Sequence, residues 1–198
     1  MWSEGHLAVD LSDQVNTETA QLWLKNLSQQ PELVIQCAGI LHAEGKRPEK
    51  TLMQITESWL HENLSANLIA HVHLAQAVNQ FVSKRQPLRW VSLSAMVGSI
   101  SDNQLGGWHS YRMSKAALNM FVRNLHIEWQ RKSPESVAVA LHPGTTESEL
   151  SKPFQANIRP DKLYTKQTTA KRLSDVIENL TPEKSGKLLH WDGSEIDF

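Results

Sequence analysis

The chain's 198 residues, 40% apolar and 21% charged, suit a single soluble domain with a core of its own. A net charge of −1 with acids and bases interspersed offers no polyanion-binding face, and no apolar run approaches the roughly 18 residues that a membrane-spanning helix needs. The single cysteine excludes an internal disulfide and suits a reducing compartment, so nucleic acid and membrane are not expected as partners and the cytoplasm is the default location.

In chain order, His6-Leu-Ala-Val-Asp10 is a short apolar run ending in an acid, and it reads as a strand. Ser12 or Asp13 can cap the helix that follows to about Ser28, with Val15, Leu22 and Leu27 among its apolar positions. Pro31 and Glu32 end it. Leu33-Val-Ile-Gln-Cys-Ala-Gly39 is a strand running into a turn of small residues, and the polar stretch 42–53 is a loop. Leu60, Leu64, Leu68, His71, Ala75, Val78 and Val82 recur at threes and fours, which predicts a long amphipathic helix containing Asn67. A strand over 88–93, a glycine-rich loop and a helix from about Tyr111 to Arg131 come next. Val137-Ala-Val-Ala-Leu141 is a strand emptying into His142-Pro-Gly144. A mixed segment over 145–164, a helix near 168–180 and a strand at Lys187-Leu-Leu-His-Trp191 complete the order. Strands alternating with helices give an α/β class with a parallel sheet, in one domain spanning 1–198.

Chemistry concentrates between Ser94 and Lys115. Tyr111 and Lys115 stand four apart, so a helix starting here places them on one face. An ammonium beside a phenol favours phenolate and lowers a pKa that is otherwise about 10, which suits proton transfer near neutral pH. Ser94 follows the apolar strand, so its hydroxyl is expected at the carboxyl end of the sheet, where open parallel sheets bind ligands. A Tyr-x-x-x-Lys pair by itself also fits a solvated helix face. Cys37 has no partner His or acid to make it a nucleophile, and His61-Glu62 lacks the second histidine of a zinc motif, so no metal site is expected.

The ordered set of a small-residue turn after a strand, Asn67, Ser94, Tyr111-Arg-Met-Ser-Lys115 and Pro143-Gly144 resembles the short-chain dehydrogenase/reductase family. The wording of SISDNQLGGWHSYRMSKAALN, HPGTTESELSKPF and WDGSEI resembles its C-factor-like branch. The resemblance implies a Rossmann-like doubly wound sheet and an NAD- or NADP-dependent oxidoreductase acting on a small carbonyl or alcohol. It implies that Tyr111 handles the proton and that Lys115 tunes the phenol and binds the nicotinamide ribose. Ser94 would hold the substrate oxygen, and Asn67 would hold a water in a relay behind the lysine. It places Asp10 and Leu11 near the adenine, Cys37, Ala38 and Gly39 beneath the cofactor, and Pro143, Gly144 and Thr146 beside the nicotinamide.

Gln36 and Cys37 depart from the family's paired asparagines, which implies an altered bond to the neighbouring strand. The family's glycine-rich pyrophosphate turn has no counterpart here. The chain opens where the family's third strand would lie, so a strand–turn–helix–strand unit is expected to be missing. That gap keeps open a second reading, a C-factor-like signalling or interaction protein that uses the fold as a scaffold. A homodimer or homotetramer is expected through the helices bearing Asn67 and Tyr111, which carry Leu74, Val78 and Phe81, and Phe121, Val122, Leu125 and Trp129.

Overall fold

In a computed structural model, which describes residues 5–198, the β-prone runs pair into one sheet of order β1-β2-β3-β6-β7. The strands are β1 (Leu33–Gln36), β2 (Arg89–Leu93), β3 (Val137–His142), β6 (Leu188–His190) and β7 (Glu195–Ile196). The first three pairings are parallel, and β7 closes the edge antiparallel to β6. Between them, β4 (Thr145–Thr146) and β5 (Leu163–Tyr164) make a separate two-stranded parallel pair.

Side-chain period two divides the sheet into two cores. Trp90, Ala138, Ala140 and Leu188 face one side, where Ala75, Ala77, Val78, Val122, Leu125 and Trp129 of the helices cover them. Val91, Val139, Leu141 and Leu189 face the other side, against Ile177, with Leu173 and Val176 packed in. The covering elements are α1 (Val15–Lys25), α3 (Ala70–Val78) and α4 (His109–Lys132) on the first side, with α2 (Glu57–Leu64) packed on α4, and α5 (Lys166–Glu178) on the second. Helices on both faces of a mostly parallel sheet give the expected α/β class.

Two expectations are corrected. His6–Asp10 is not a strand: no ladder forms there, because a strand exists only with a partner beside it and β1 pairs on one side alone among the described residues. Asp10 instead accepts the N–H and hydroxyl of Ser12, at 2.9 and 2.7 Å, in a turn leading to α1. In α1 the buried face is Thr17, Ala20 and Leu24, while Val15 and Leu22 are exposed. The open edge at β1 leaves Leu33 and Ile35 partly in solvent, 38% and 46% exposed.

Candidate active site

The carboxyl ends of β1, β2 and β3 converge on the first turns of α4. This helix starts without a side-chain cap of its own: its N-cap is Trp108, held in the left-handed region at φ 51°. A loop residue far away in sequence supplies the cap. The buried Glu49 carboxylate accepts from the Ser110 hydroxyl and, at 3.2 Å, from the Ser110 N–H, while its backbone carbonyl accepts from Trp108 N–H. A carboxylate at a helix N-terminus satisfies orphan donors and complements the dipole. Sequence reading passed over Glu49 because the polar stretch 42–53 gives no local sign of a distant helix end.

One residue after Ser110, Tyr111 is buried, and Lys115 lies one turn on, also buried. The Lys115 ammonium is 6.0 Å from the Tyr111 ring centroid and donates to the Leu93 carbonyl at 2.8 Å. Burial pushes the Tyr111 phenol up to about 12 and pulls Lys115 down to about 8. The phenol thus moves opposite to the direction that the spacing implies, because desolvation of the ring outweighs an ammonium six ångströms away. Tyr111 is a proton holder in this state.

Asn67 is fully buried and sits inside a π-helical segment, Ser65–Ile69, that interrupts the long helix between α2 and α3. Single π turns of this kind cluster at functional sites. Its side-chain oxygen accepts from Ile40 N–H at 2.6 Å, and its amide donates to Ile40 O at 3.0 Å and Ser114 Oγ at 2.9 Å. Asn67 therefore joins the loop after β1 to α4. Gly39 allows this, since a Cβ there would lie 2.9 Å from Asn67 Oδ1 and 3.4 Å from Lys115 Nζ.

Among the described residues no hydrogen bond joins Ser94 to Tyr111. The Ser94 hydroxyl donates to Asn119 Oδ1 at 2.7 Å. Asn119 lies eight residues beyond Tyr111, about 12 Å along the helix. The residue packed against Tyr111 and Leu41 is the next one, Ala95.

Cys37 and Ala38 are exposed at the end of β1, with Lys115 close enough for its charge to act on the Cys37 thiol. Local desolvation nonetheless raises that thiol above its ordinary range, which suits a wall position better than a nucleophile. Gln36 takes over the turn: its Oε1 accepts from Ala38 N–H at 3.0 Å and its Nε2 reaches Ala70 O at 3.5 Å. The altered bond thus runs to the neighbouring helix. His71, unassigned from sequence beyond its apolar face, spans from Ser92 Oγ at 3.1 Å to Ala38 O at 3.0 Å and fixes that turn from below. The Leu11 carbonyl lies 2.7 Å from His73 Nδ1, which tethers the Asp10–Leu11 turn to α3.

After β3, Gly144 adopts φ 76°, and a Cβ there would meet Trp191 at 3.0 Å and Tyr164 at 3.2 Å. Thr146 Oγ1 lies 2.8 Å from Thr169 Oγ1, and its carbonyl accepts from the Ser151 hydroxyl at 2.5 Å. Pro143, Gly144 and Thr146 thus border the same end of the sheet as Cys37–Gly39.

The profile of the short chain dehydrogenase family matches residues 5–159. A 1-hydroxy-2-glutathionyl-2-methyl-3-butene dehydrogenase of Rhodococcus sp. (strain AD45) is 29% identical over 191 residues, covering 96% of this chain and 78% of that protein. The C-signal of Myxococcus xanthus is 35% identical over 111 residues, 56% of this chain and 61% of that one. Among solved structures, an NADPH-bound carbonyl reductase from chicken fatty liver superposes with a TM-score of 0.76 at 26% identity, covering 96% of this chain and 75% of that one. Carbonyl reductase Sniffer of D. melanogaster has the same fold, with a TM-score of 0.83 at 20% identity, and the chain spans 77% of its length. With the profile covering most of its length, the chain belongs to the short chain dehydrogenase family.

Proposed function

We propose that this chain, as one Rossmann-type domain, is an NAD- or NADP-dependent oxidoreductase of small carbonyl compounds or alcohols, with Tyr111 as its proton donor and acceptor. The observation that carries the reading is the buried Tyr111–Lys115 pair on α4, beneath a glycine that cannot bear a side chain without striking Asn67.

The residues present fit the nicotinamide and ribose end of a nicotinamide nucleotide, while no glycine-rich turn for its pyrophosphate stands among the described residues. Cys37, Ala38 and Gly39 leave a low floor at the end of β1, and a Cβ on Gly39 would lie 3.4 Å from Lys115 Nζ. Pro143, Gly144 and Thr146 face it across the sheet end, and Asp10 and Leu11 belong to the same reading on the adenine side. Bound there, the nucleotide supplies or accepts a hydride at the carbonyl carbon. The chain's own residues do the rest. Tyr111, which keeps its proton well above neutral pH here, donates that proton to the substrate oxygen in reduction and takes it back in oxidation. The Lys115 ammonium stabilises the phenolate left behind and offers further N–H donors to the ribose. Asn67 holds the loop after β1 at its distance from α4, beside the relay position that the family assigns to it. Ser94 completes the set through Asn119, supporting the strand end rather than donating to the substrate in this form.

Tyr111→Phe tests the assignment. It is expected to abolish carbonyl reduction while leaving nucleotide binding within about threefold, since only a hydroxyl is removed. Undiminished turnover in the variant rules Tyr111 out as the proton donor.

The cytoplasm remains the proposed location, and assembly into a homodimer or homotetramer remains part of the reading. Its basis shifts, however. Val78, Val122, Leu125 and Trp129 are buried in the chain's own core, with Leu74, Phe81 and Phe121 packed against it. Among the described residues of these helices, the large apolar ones left outward are Ile69 and, in one stripe along α4, Met113, Met120 and Ile127. Sedimentation equilibrium reads the result; a monomer at micromolar concentration removes this part of the proposal.

A second reading, a signalling or interaction protein related to C-signal, draws on the 35% identity to that protein. Turnover of any carbonyl that depends on Tyr111 decides against a purely scaffolding role.

A further inference from the structure

The Tyr111 ring is enclosed by apolar and aromatic side chains. Leu41 and Ala95 are buried with it, and Val97, Trp108 and Phe154 pack against the three. Trp108 meets Tyr111 edge to face, with centroids 6.3 Å apart, and lies tilted on Phe154 at 5.2 Å. Phe154 in turn meets His42 at 6.0 Å, and His42 Nε2 lies 3.1 Å from the Glu149 carbonyl. The loop after β1 and the segment between β4 and β5 are thereby joined beside the tyrosine.

The two cations on the first turns of α4 each donate to backbone carbonyls. Arg112 follows Tyr111 but projects about 100° around the helix from it. Its guanidinium donates to Gly107 O at 3.1 Å and Val97 O at 3.3 Å. Lys115 donates to Leu93 O. A carboxylate or phosphate pressed against the rings of Trp108 and Phe154 would lose hydration that those rings do not replace. A flat apolar group, by contrast, exchanges water for ring contacts. The two loops that meet at Glu49 and Trp108 also carry Leu52, Met53 and Leu105, which are 70%, 89% and 91% exposed.

We infer that the substrate is an uncharged carbonyl compound, or the corresponding alcohol, carrying an aryl or similarly flat apolar group beside the reacting carbon, and that this group stacks against Trp108 and Phe154. The inference rests on the oxidoreductase reading above, with the same hydride to carbon and the same proton to oxygen.

The test compares acetophenone, 2-butanone and pyruvate as substrates of the purified chain with NADH and with NADPH, alongside Phe154→Ala and Trp108→Leu. Acetophenone is expected to exceed 2-butanone in kcat/KM by about tenfold, with pyruvate lowest, and Phe154→Ala to raise KM for acetophenone by about tenfold while leaving 2-butanone within twofold. Preference for pyruvate, or equal effects of Phe154→Ala on both ketones, overturns the inference and leaves the oxidoreductase reading standing. If none of the three is reduced with either nucleotide, the oxidoreductase reading fails. Calorimetric binding of acetophenone still reads the wall in that case: weakening by Phe154→Ala supports it, and no binding, or binding indifferent to the variant, overturns it.

Discussion

Glu49→Ala removes the carboxylate that caps α4, and its cost can be estimated from the contacts. Ser110 is fully buried, and both its N–H and its hydroxyl donate to the Glu49 carboxylate. Alanine leaves two buried donors without an acceptor, at about 1–3 kcal/mol each. Loss of a negative charge from the helix N-terminus adds about 0.3–1 kcal/mol, and relief of the carboxylate's own desolvation offsets part of the sum. The expected net loss is about 3 kcal/mol, against a total stability of roughly 5–15 kcal/mol. For a chain of this size that lowers Tm by roughly 6–12 °C.

Activity should fall further than stability explains, because Tyr111 is the next residue and a displacement of about 1 Å can cost about a hundredfold in rate. Urea unfolding followed by tryptophan fluorescence gives the first quantity, and turnover of the folded fraction gives the second. Glu49→Gln keeps an amide oxygen for one donor and should recover about half of both losses. A Glu49→Ala protein within about 0.5 kcal/mol of the parent, with unchanged kcat, would refute the capping argument.

Three further outcomes are expected. His71 is buried and His142 half-buried, and desolvation holds each down to about 4, so between pH 6.5 and 4 the unfolded chain binds protons that the folded chain does not. Stability is therefore complete above pH 6.5 and falls on acidification by about 3 kcal/mol per histidine; His71→Gln should remove one such step from urea midpoints measured across that range. Burial holds Lys115 down to about 8, so its charge is lost as pH rises through that value, and kcat/KM for reduction, which reports the free protein, should decline above about pH 8. Lys115→Arg should push that decline beyond pH 10; an unmoved limb would assign it to another group. Ser94→Ala leaves Asn119 Oδ1 without its donor and should cost about 1–2 kcal/mol of stability, while kcat/KM stays within about threefold. A hundredfold loss of kcat/KM would instead restore Ser94 to the substrate oxygen.

How much of this was legible in the residues depended on whether the deciding contact was local. The alternation of β1, β2, β3 and β6 with helices follows from apolar runs and periodicity, both local quantities. The shared face of Tyr111 and Lys115 follows from helix geometry alone. His6–Asp10 misled because its strand-like composition says nothing about a neighbour, and a ladder is a non-local bond. In α1, Val15 and Leu22 misled for a related reason: which stripe is buried is decided by where α3 lies, and small residues such as Ala20 fit that contact better. The direction of the Tyr111 shift could not be read from spacing either. Spacing gives the position of the ammonium but not the depth of the ring, and here depth prevails.

Strand parity bears on Ser94 as well. Trp90 and Ser92 point to the side covered by α3 and α4, and the Trp90 indole donates to Ser92 Oγ at 2.8 Å on that face. Val91 and Leu93 point to the opposite side, towards α5. Period two therefore assigns Ser94 to the α4 side with Trp90 and Ser92, beneath the sheet end, and Asn119 is the partner it meets there. The next residue lies past the last residue of β2 and turns over the sheet end towards Tyr111, and in this chain it is Ala95, with a methyl where a donor to the substrate oxygen could have stood. On the proposed reading, proton transfer and carbonyl polarisation then fall on Tyr111 with Lys115 behind it, in a wall otherwise made of Leu41, Val97, Trp108 and Phe154. That division explains why the buried phenol must be positioned so firmly from Glu49: with one donor at the reacting oxygen, catalysis depends on where that single hydroxyl stands.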